Sequence, residues 1–315
     1  MTYKDFYEEW LDPDRDYVSA HTSGSTGVPK PVHLSKKDML ASARATVKFF
    51  DIRQGDQLAT PLSADYIAGK MMAVRAMESG AHLIVEPPSR HPLSSCSQLD
   101  RVKLIAIVPQ QIDGLLASGV KVDNVIVGGA ATSPDAEARA LEAWPATAWW
   151  ATYGMTETCS HVALRRFGYQ EYHALPGVEF SQTIDGRLVI SSEGVSWSPV
   201  VTNDIVKLSG PTSFHFLGRA DNAIISGGIK IHPEEVEKLI APALGKNKFY
   251  ISSKKSELWG AEPVLVVEGT PPPDGGKRIL EHTASLAGSI KRPRSIVWLP
   301  SFPLTSSGKI IRRAF

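Results

Sequence analysis

Between residues 81 and 154 four short apolar runs, AHLIVE, LIAIVP, VDNVIVGG and TAWWATYG, recur with helical stretches such as PDAEARALEAW between several of them. Runs of this length suit strands, and strands that alternate with helices need crossover connections. The pattern therefore confines the chain to an α/β fold with a largely parallel sheet. Beyond Gly168 the texture shifts to shorter pieces, RLVISS, DIVKLS and FHFLGR, set apart by Gly, Asp, Ser and Pro, which read as a second sheet in a β-rich subdomain. From Ala223 onward AIISGGIKIHPEEVEKLI, KFYISS, PVLVVEG, a Pro-rich turn at Thr270 to Gly276, a helix and SIVWLP suggest a small α+β domain. The expected division is an N-terminal domain over 1–220 and a small α+β domain over 221–315, with the boundary at Arg219 to Asn222.

Composition narrows the function classes. The 315 residues are 43% hydrophobic, enough for a large core, which excludes a disordered or fibrous chain. Lys plus Arg number 34 against 33 Asp plus Glu, so no global field recruits nucleic acid or an anionic membrane, and the expected partner is small. Two cysteines, Cys96 and Cys159, support neither a disulfide framework nor a thiolate zinc site. The N-terminus lacks the basic start and apolar core of a signal peptide, and no apolar run approaches the roughly 18 residues of a membrane span. A soluble, cytoplasmic protein without membrane insertion is the expectation, and its oligomeric state is left open.

The segment HTSGSTGVPK crowds Thr22, Ser23, Gly24, Ser25, Thr26 and Gly27 ahead of Lys30. Hydroxyls, backbone N–H groups and one cation, on a chain that bends closely, suit a cradle for phosphate, the alternative for the segment alone being a solvent-exposed Ser/Gly turn. Ser35 with Asp38 three residues on reads as a helix start, so the loop immediately precedes a helix. It is not a Walker A loop, because Val28 and Pro29 delay the lysine and Pro31 follows it.

With that loop in place, the sequence resembles the adenylate-forming superfamily of acyl-CoA synthetases, nonribosomal peptide adenylation domains and luciferases. The resemblance runs through five motifs in the family's order across residues 22 to 309. It implies that Gly128, Gly129 and Ala130 lie against adenine, and that in ATYGMTET Tyr153 stacks on the base, Thr156 contacts the α-phosphate and Glu157 holds Mg²⁺. A hard cation on phosphate oxygens needs few protein ligands and prefers carboxylate, which suits a glutamate. Asp204 falls where the family binds both ribose hydroxyls, although the usual Thr-Gly-Asp reads Thr202-Asn203-Asp204. In GRADNAIISGGIKIHPEEVE the resemblance assigns Arg219 to ribose, Asp221 to an interdomain hinge, and Gly227 and Gly228 to the passage of a pantetheine arm. In PLTSSGKIIRR it assigns Lys309 to the adenylation step.

ATP, Mg²⁺ and CoA as co-substrate, together with a small carboxylic acid, are thus the implied ligands. Within the superfamily, YGMTETCSHVALR is most similar to the 2-succinylbenzoate-CoA ligases, which act on an aromatic keto-diacid in menaquinone biosynthesis. Ser160 and His161 would face that acid, with His161 alternatively a structural histidine. Lys70 and Arg75, on the expected pocket helix, are either receptors for a second carboxylate or surface charges. Family members carry a much longer segment ahead of the glycine loop, so the first subdomain is expected to be truncated. Two other readings stay open: an aryl-acid adenylase that loads a carrier protein, and a non-catalytic nucleotide-binding remnant.

Overall fold

The computed structural model of the chain describes residues 1–21, 31–96, 98–245, 247–304 and 310–315. These divide into two compact units, one of 1–181, 189–201 and 208–215, the other of 182–188, 202–207 and 216–315.

In the first unit α1 (Tyr3–Leu11) precedes a hairpin of β1 (Tyr17–His21) and β2 (Pro31–Ser35), then α2 (Lys36–Phe50), β3 (Gln57–Thr60), α3 (Ile67–Ser79) and β4 (His82–Val85). There follow β5 (Val102–Ile107), α4 (Ile112–Leu116), β6 (Val122–Val127), α5 (Pro134–Ala143), β7 (Ala148–Gly154), β8 (His161–Arg166) and β9 (Glu171–Ala174). Strands β10 (Val178–Gln182), β11 (Arg187–Ser192), β12 (Val200–Gly210) and β13 (Ser213–Arg219) divide their residues between the units.

The alternating pattern has the predicted outcome. β4, β3, β5, β6 and β7 are parallel neighbours in that order. β8 then runs antiparallel to β7, and β9 to β8. Leu104, Ile105 and Val125 have no exposed surface because helices cover both faces of the sheet, which explains why these strands are nearly unbroken apolar runs. Each such side chain contributes about 1.5–3 kcal/mol by leaving water, so the parallel strands form a stiff floor for whatever their ends carry. FHFLGR is not part of a separate sheet, as the change in texture suggests: Ser213–His215 of β13 pair with Glu171–His173 of β9 and extend the first one. Short strands after a turn-rich stretch look the same in sequence whether they start a sheet or join one.

The helix start at Ser35 forms as read, with Ser35 Oγ accepting from the Asp38 backbone N–H at 3.4 Å. Met39, Ala43, Thr46 and Phe50 then follow at helical spacing on its buried face. β1 and β2 pair from Tyr17↔Ser35 to His21↔Pro31, so the hairpin ends where the glycine-rich segment begins.

The second unit adds β14 (Ile224–Ser226), β15 (Ile229–Ile231), α6 (Pro233–Leu244), β16 (Phe249–Ser256), β17 (Gly260–Glu268), α7 (Lys277–Lys291) and β18 (Ser295–Leu299). β17 is antiparallel to β14 and β16 and parallel to β18. α6 supplies Val236, Ile240 and Leu244, a spacing of four that matches one helix face, to a core shared with Ile251, Leu265 and Val267. Among the described residues no helix is long and apolar enough to cross a membrane.

Candidate active site

Parallel strands deliver their carboxyl ends to one edge of a sheet, where open α/β folds take their ligands. Val127 of β6 is paired with Ala151 of β7, so Gly128–Ala130 and Tyr153–Glu157 emerge as neighbours. The first glycine is required by space: a Cβ at Gly128 would lie 2.5 Å from Thr152 Oγ1, and that hydroxyl donates to the Val127 carbonyl at 3.3 Å. Gly129 is required by conformation, with φ +82°. Tyr153 is half-buried, its ring edge-on to Phe214 at 5.0 Å and to Tyr172 at 5.8 Å.

After Tyr153 the β7–β8 register shifts and the chain makes a tight 3-10 turn, Thr156–Thr158. Thr158 locks it, accepting from the Met155 N–H and donating to the Ser160 carbonyl at 2.8 Å. The turn buries Thr156 and exposes Glu157. Magnesium bound together with a nucleotide would need few protein ligands and would prefer carboxylate oxygen, so the exposed Glu157 at a strand end is a fitting donor. Among the described residues no three His, Cys, Asp or Glu side chains gather to hold a metal by themselves.

Immediately beyond the turn lies the charged heart of this unit. Arg75, on α3, is only 2% exposed. Its Nη2 donates to Ser160 Oγ at 2.5 Å and lies 3.4 Å from His161 Nδ1, while Nη1 reaches Met72 Sδ at 3.4 Å. Among the described residues Nε has no hydrogen-bond partner and no carboxylate pairs with the guanidinium. Burial alone lowers it to about 9. His161 is held well below its ordinary value, first by burial and then by the charge of Arg75, so its ring is neutral. Thr46 Oγ1 donates to the Ser42 carbonyl at 3.1 Å and lies 3.4 Å from His161 Nε2. That network assigns the ring proton to Nε2 and turns the Nδ1 lone pair to Arg75.

Lys70 does not join this group. It is equally buried, but its ammonium lies 5.2 Å from the Phe6 ring and contacts Met1 Sδ, with the charges of Glu9 and Asp65 opposing the lowering that burial causes. Residues five apart on a helix differ by about 140° in direction, which is why α3 sends the two cations to different neighbours.

In the second unit Arg219 is bracketed by carboxylates, with Nη1 3.3 Å from Asp204 Oδ1, and Nε and Nη2 donating to Asp221 at 2.9 and 2.8 Å. The expected ribose pair, Asp204 and Arg219, is therefore joined, and the expected hinge residue is tied to it. Gly227 and Gly228 form the turn between β14 and β15, at φ +55° and +80°. The Gly227 N–H donates to the Trp259 carbonyl at 2.9 Å, and a Cβ at Gly227 would sit 2.6 Å from the Trp259 ring, whereas Gly228 has open space. Thr22, Ser23, Gly24, Ser25, Thr26, Gly27, Lys30 and Lys309 lie outside the described residues. Their flanks are fixed: His21 and Pro31 pair with each other, and Leu304 bridges Ile310.

Thr46 and the buried Glu137–Arg165 pair were not legible as site neighbours. Thr46 reads as one more position on an amphipathic helix, and Glu137 as a charge on a solvated one. Only the pairing of distant elements gives either a role.

The family model described as AMP-binding enzyme matches residues 3–184, more than half of the chain. The 2-succinylbenzoate-CoA ligase of Enterococcus faecalis is 26% identical over 98% of this chain and 71% of its own length. The indoleacetate-CoA ligase of Aromatoleum aromaticum is 23% identical over 95% of this chain and 66% of its own. Among solved structures, an acyl-CoA synthetase (AMP-forming)/AMP-acid ligase II-like protein from Dyadobacter fermentans superimposes with a TM-score of 0.64 at 33% identity, covering 97% of this chain and 90% of that one.

Proposed function

Because the chain belongs to the AMP-binding enzyme family, we propose that it is an ATP-dependent acid-thiol ligase that forms an acyl-adenylate and then a CoA thioester, with 2-succinylbenzoate as the acid. The observation that carries the choice of acid is Arg75, a buried guanidinium with a free Nε and no carboxylate among the described residues. A buried cation without a counter-charge is costly, and an anionic group supplied by the substrate removes the cost. Indoleacetate offers one carboxylate, which the adenylation step consumes. A diacid offers a second, for Arg75 with Ser160 and the neutral His161 beside it.

A carboxylate becomes an electrophile only when one oxygen is made a leaving group, so two anions must meet for in-line attack on the α-phosphorus. Compensating their charge is the main task of the site. In this reading Thr22–Lys30 cradle the β- and γ-phosphates, Gly128–Ala130 and Tyr153 hold adenine, Asp204 and Arg219 hold ribose, and Thr156 contacts the α-phosphate. Magnesium held by Glu157 would neutralise phosphate charge. Lys309 bridges carboxylate and α-phosphate as pyrophosphate leaves, and no covalent enzyme intermediate is required. The thiol then attacks the acyl-adenylate, its pantetheine arm passing Gly227 and Gly228, with Asp221 as the hinge between half-reactions.

Pyrophosphate release across a panel of aromatic and aliphatic acids, with and without CoA, tests the reading. Selective turnover of 2-succinylbenzoate with CoA is the expected result. Adenylation without CoA turnover would reassign the thiol acceptor to a carrier protein. Silence on every acid would leave a nucleotide-binding remnant.

A further inference from the structure

The connection from β6 back to β8 is closed by a buried ion pair. Arg165 Nη2 and Nη1 donate to Glu137 Oε1 and Oε2 at 2.5 and 3.1 Å, with both side chains about one-tenth exposed. Glu137 also accepts from the Gly168 N–H at 3.0 Å, and Arg165 donates to the Tyr169 carbonyl at 2.5 Å, so the pair's hydrogen-bonding capacity is used locally. The guanidinium lies 5.5 Å from the centre of the Tyr172 ring, which is stacked on Phe214 at 5.3 Å and 13°. Both rings abut Tyr153.

The register makes this a closed ring. Val127 pairs with Ala151, and Ala151 pairs with Arg165, so the three residues form one row across β6, β7 and β8. From Val127 the chain leaves through Gly128–Ala130, is capped at Ser133, whose Oγ accepts from the Ala136 N–H at 3.2 Å, and returns at Glu137 in the first turn of α5 to meet Arg165. The ring carries one of the elements assigned to the base and borders the other. One arm carries Gly128–Ala130, and the other positions the aromatic cluster against which Tyr153 rests. Bidentate guanidinium–carboxylate geometry fixes both distance and angle, which a packed apolar pair does not.

We infer that Glu137 and Arg165 are positioning residues that set the width of the adenine slot, and so determine the preference for adenine over other bases. This rests on the reading that Tyr153 and Gly128–Ala130 bind adenine. Neither side chain needs to touch the nucleotide.

The test is equilibrium binding of ATP and GTP to the full chain, measured for the wild type, Glu137→Gln, Arg165→Lys and the double substitution Glu137→Met with Arg165→Met, alongside Tm and the KM for the acid. A buried pair replaced by apolar groups of similar volume is commonly near neutral for stability, so the double variant separates folding from positioning. The expected result is a wild type that prefers ATP, and a double variant with a wild-type Tm whose ATP affinity falls about tenfold, the effect of a misplaced binding wall, with the ATP-to-GTP ratio compressed and the acid KM unchanged. Arg165→Lys, which keeps charge but not the fork, is expected to compress the ratio as well. A double variant that folds and keeps the wild-type ratio overturns the inference while leaving the adenine site standing. A wild type without preference for ATP overturns both.

Discussion

Arg75 and Ser160 are 85 residues apart in sequence and 2.5 Å apart in the fold, the guanidinium of one helix donating to the first hydroxyl beyond the Glu157 turn. The contact joins α3 to the residue just before β8 and leaves the guanidinium without a counter-charge among the described residues. In the proposed reading that cation is held in readiness for the second carboxylate of the acid.

Arg75→Met separates that role from structure. Removing an uncompensated buried charge relieves its desolvation while Ser160 and His161 each lose a partner, so stability is expected to stay within about 1 kcal/mol of wild type. Turnover of the diacid is expected to fall about 100-fold or more, the usual scale for losing one side of a buried charged pair. A monocarboxylic aryl acid is expected to be affected little. Chemical denaturation and kcat/KM for the two acids check this, and an equal loss for both would remove Arg75 from acid recognition.

Acid pH is expected to destabilise the protein through His161. The folded-state pKa lies well below the ordinary value of 6.5, because burial and Arg75 oppose a second positive charge. Above 6.5 the ring is neutral in both states and contributes no pH dependence. As pH falls below 6.5 the unfolded chain binds a proton that the folded chain refuses, so stability declines by up to about 1.4 kcal/mol per pH unit until the folded value is reached. His161→Gln keeps a polar side chain without the titration, and its Tm between pH 7 and pH 5 should fall less steeply than the wild type's. Parallel slopes would show that other groups control the acid limb.

How much of this was readable beforehand differs by level. The parallel sheet was legible because Leu104, Ile105 and Val125 are buried on both faces, and a doubly covered strand has to be apolar along its length. The helix start at Ser35 was legible because capping is local chemistry. The joining of β13 to β9 was not, since strand pairing depends on partners that a local pattern does not name. The separation of Lys70 from Arg75 follows from helix geometry, yet the burial of both depends on α1 and β8, and no spacing rule announces those neighbours. Asp204 and Arg219, each assigned to ribose by the resemblance, are in contact fifteen residues apart on successive strands, a pairing that no motif announces.

Gly227→Ala is expected to cost stability in the second unit and to slow thioester formation. At φ +55° the turn already favours glycine, and the added carbon would lie 2.6 Å from the Trp259 ring, whose backbone carbonyl accepts from the Gly227 N–H. Either the ring or the turn has to shift, at about 1–3 kcal/mol. Gly228→Ala meets no neighbouring atom and carries only the penalty of its φ of +80°, about 1–2 kcal/mol. Thioester formation from supplied acyl-adenylate, read beside Tm, is expected to fall further for Gly227→Ala. Unchanged thioester rates in both variants would take the turn out of the thiol path.

Lys309→Ala should divide the reaction in two. The described residues that flank it are anchored, Leu304 and Ile310 by their bridge to each other and Arg312 by Nη1 and Nη2, which donate to Glu237 at 2.5 and 2.8 Å. Further along, Ser252 Oγ donates to the Arg313 carbonyl, and the Phe315 N–H to the Ser253 carbonyl. With those anchors outside the substitution, Tm is expected to hold. Adenylation, in which we propose that Lys309 compensates the charge of two meeting anions, is expected to fall by about 100- to 1,000-fold, as when a preorganised donor to a developing charge is removed. Conversion of supplied acyl-adenylate to thioester needs no such compensation and is expected to continue near the wild-type rate. Single-turnover measurement of each half-reaction decides it, since equal losses in both would mean that Lys309 supports the fold or both steps alike.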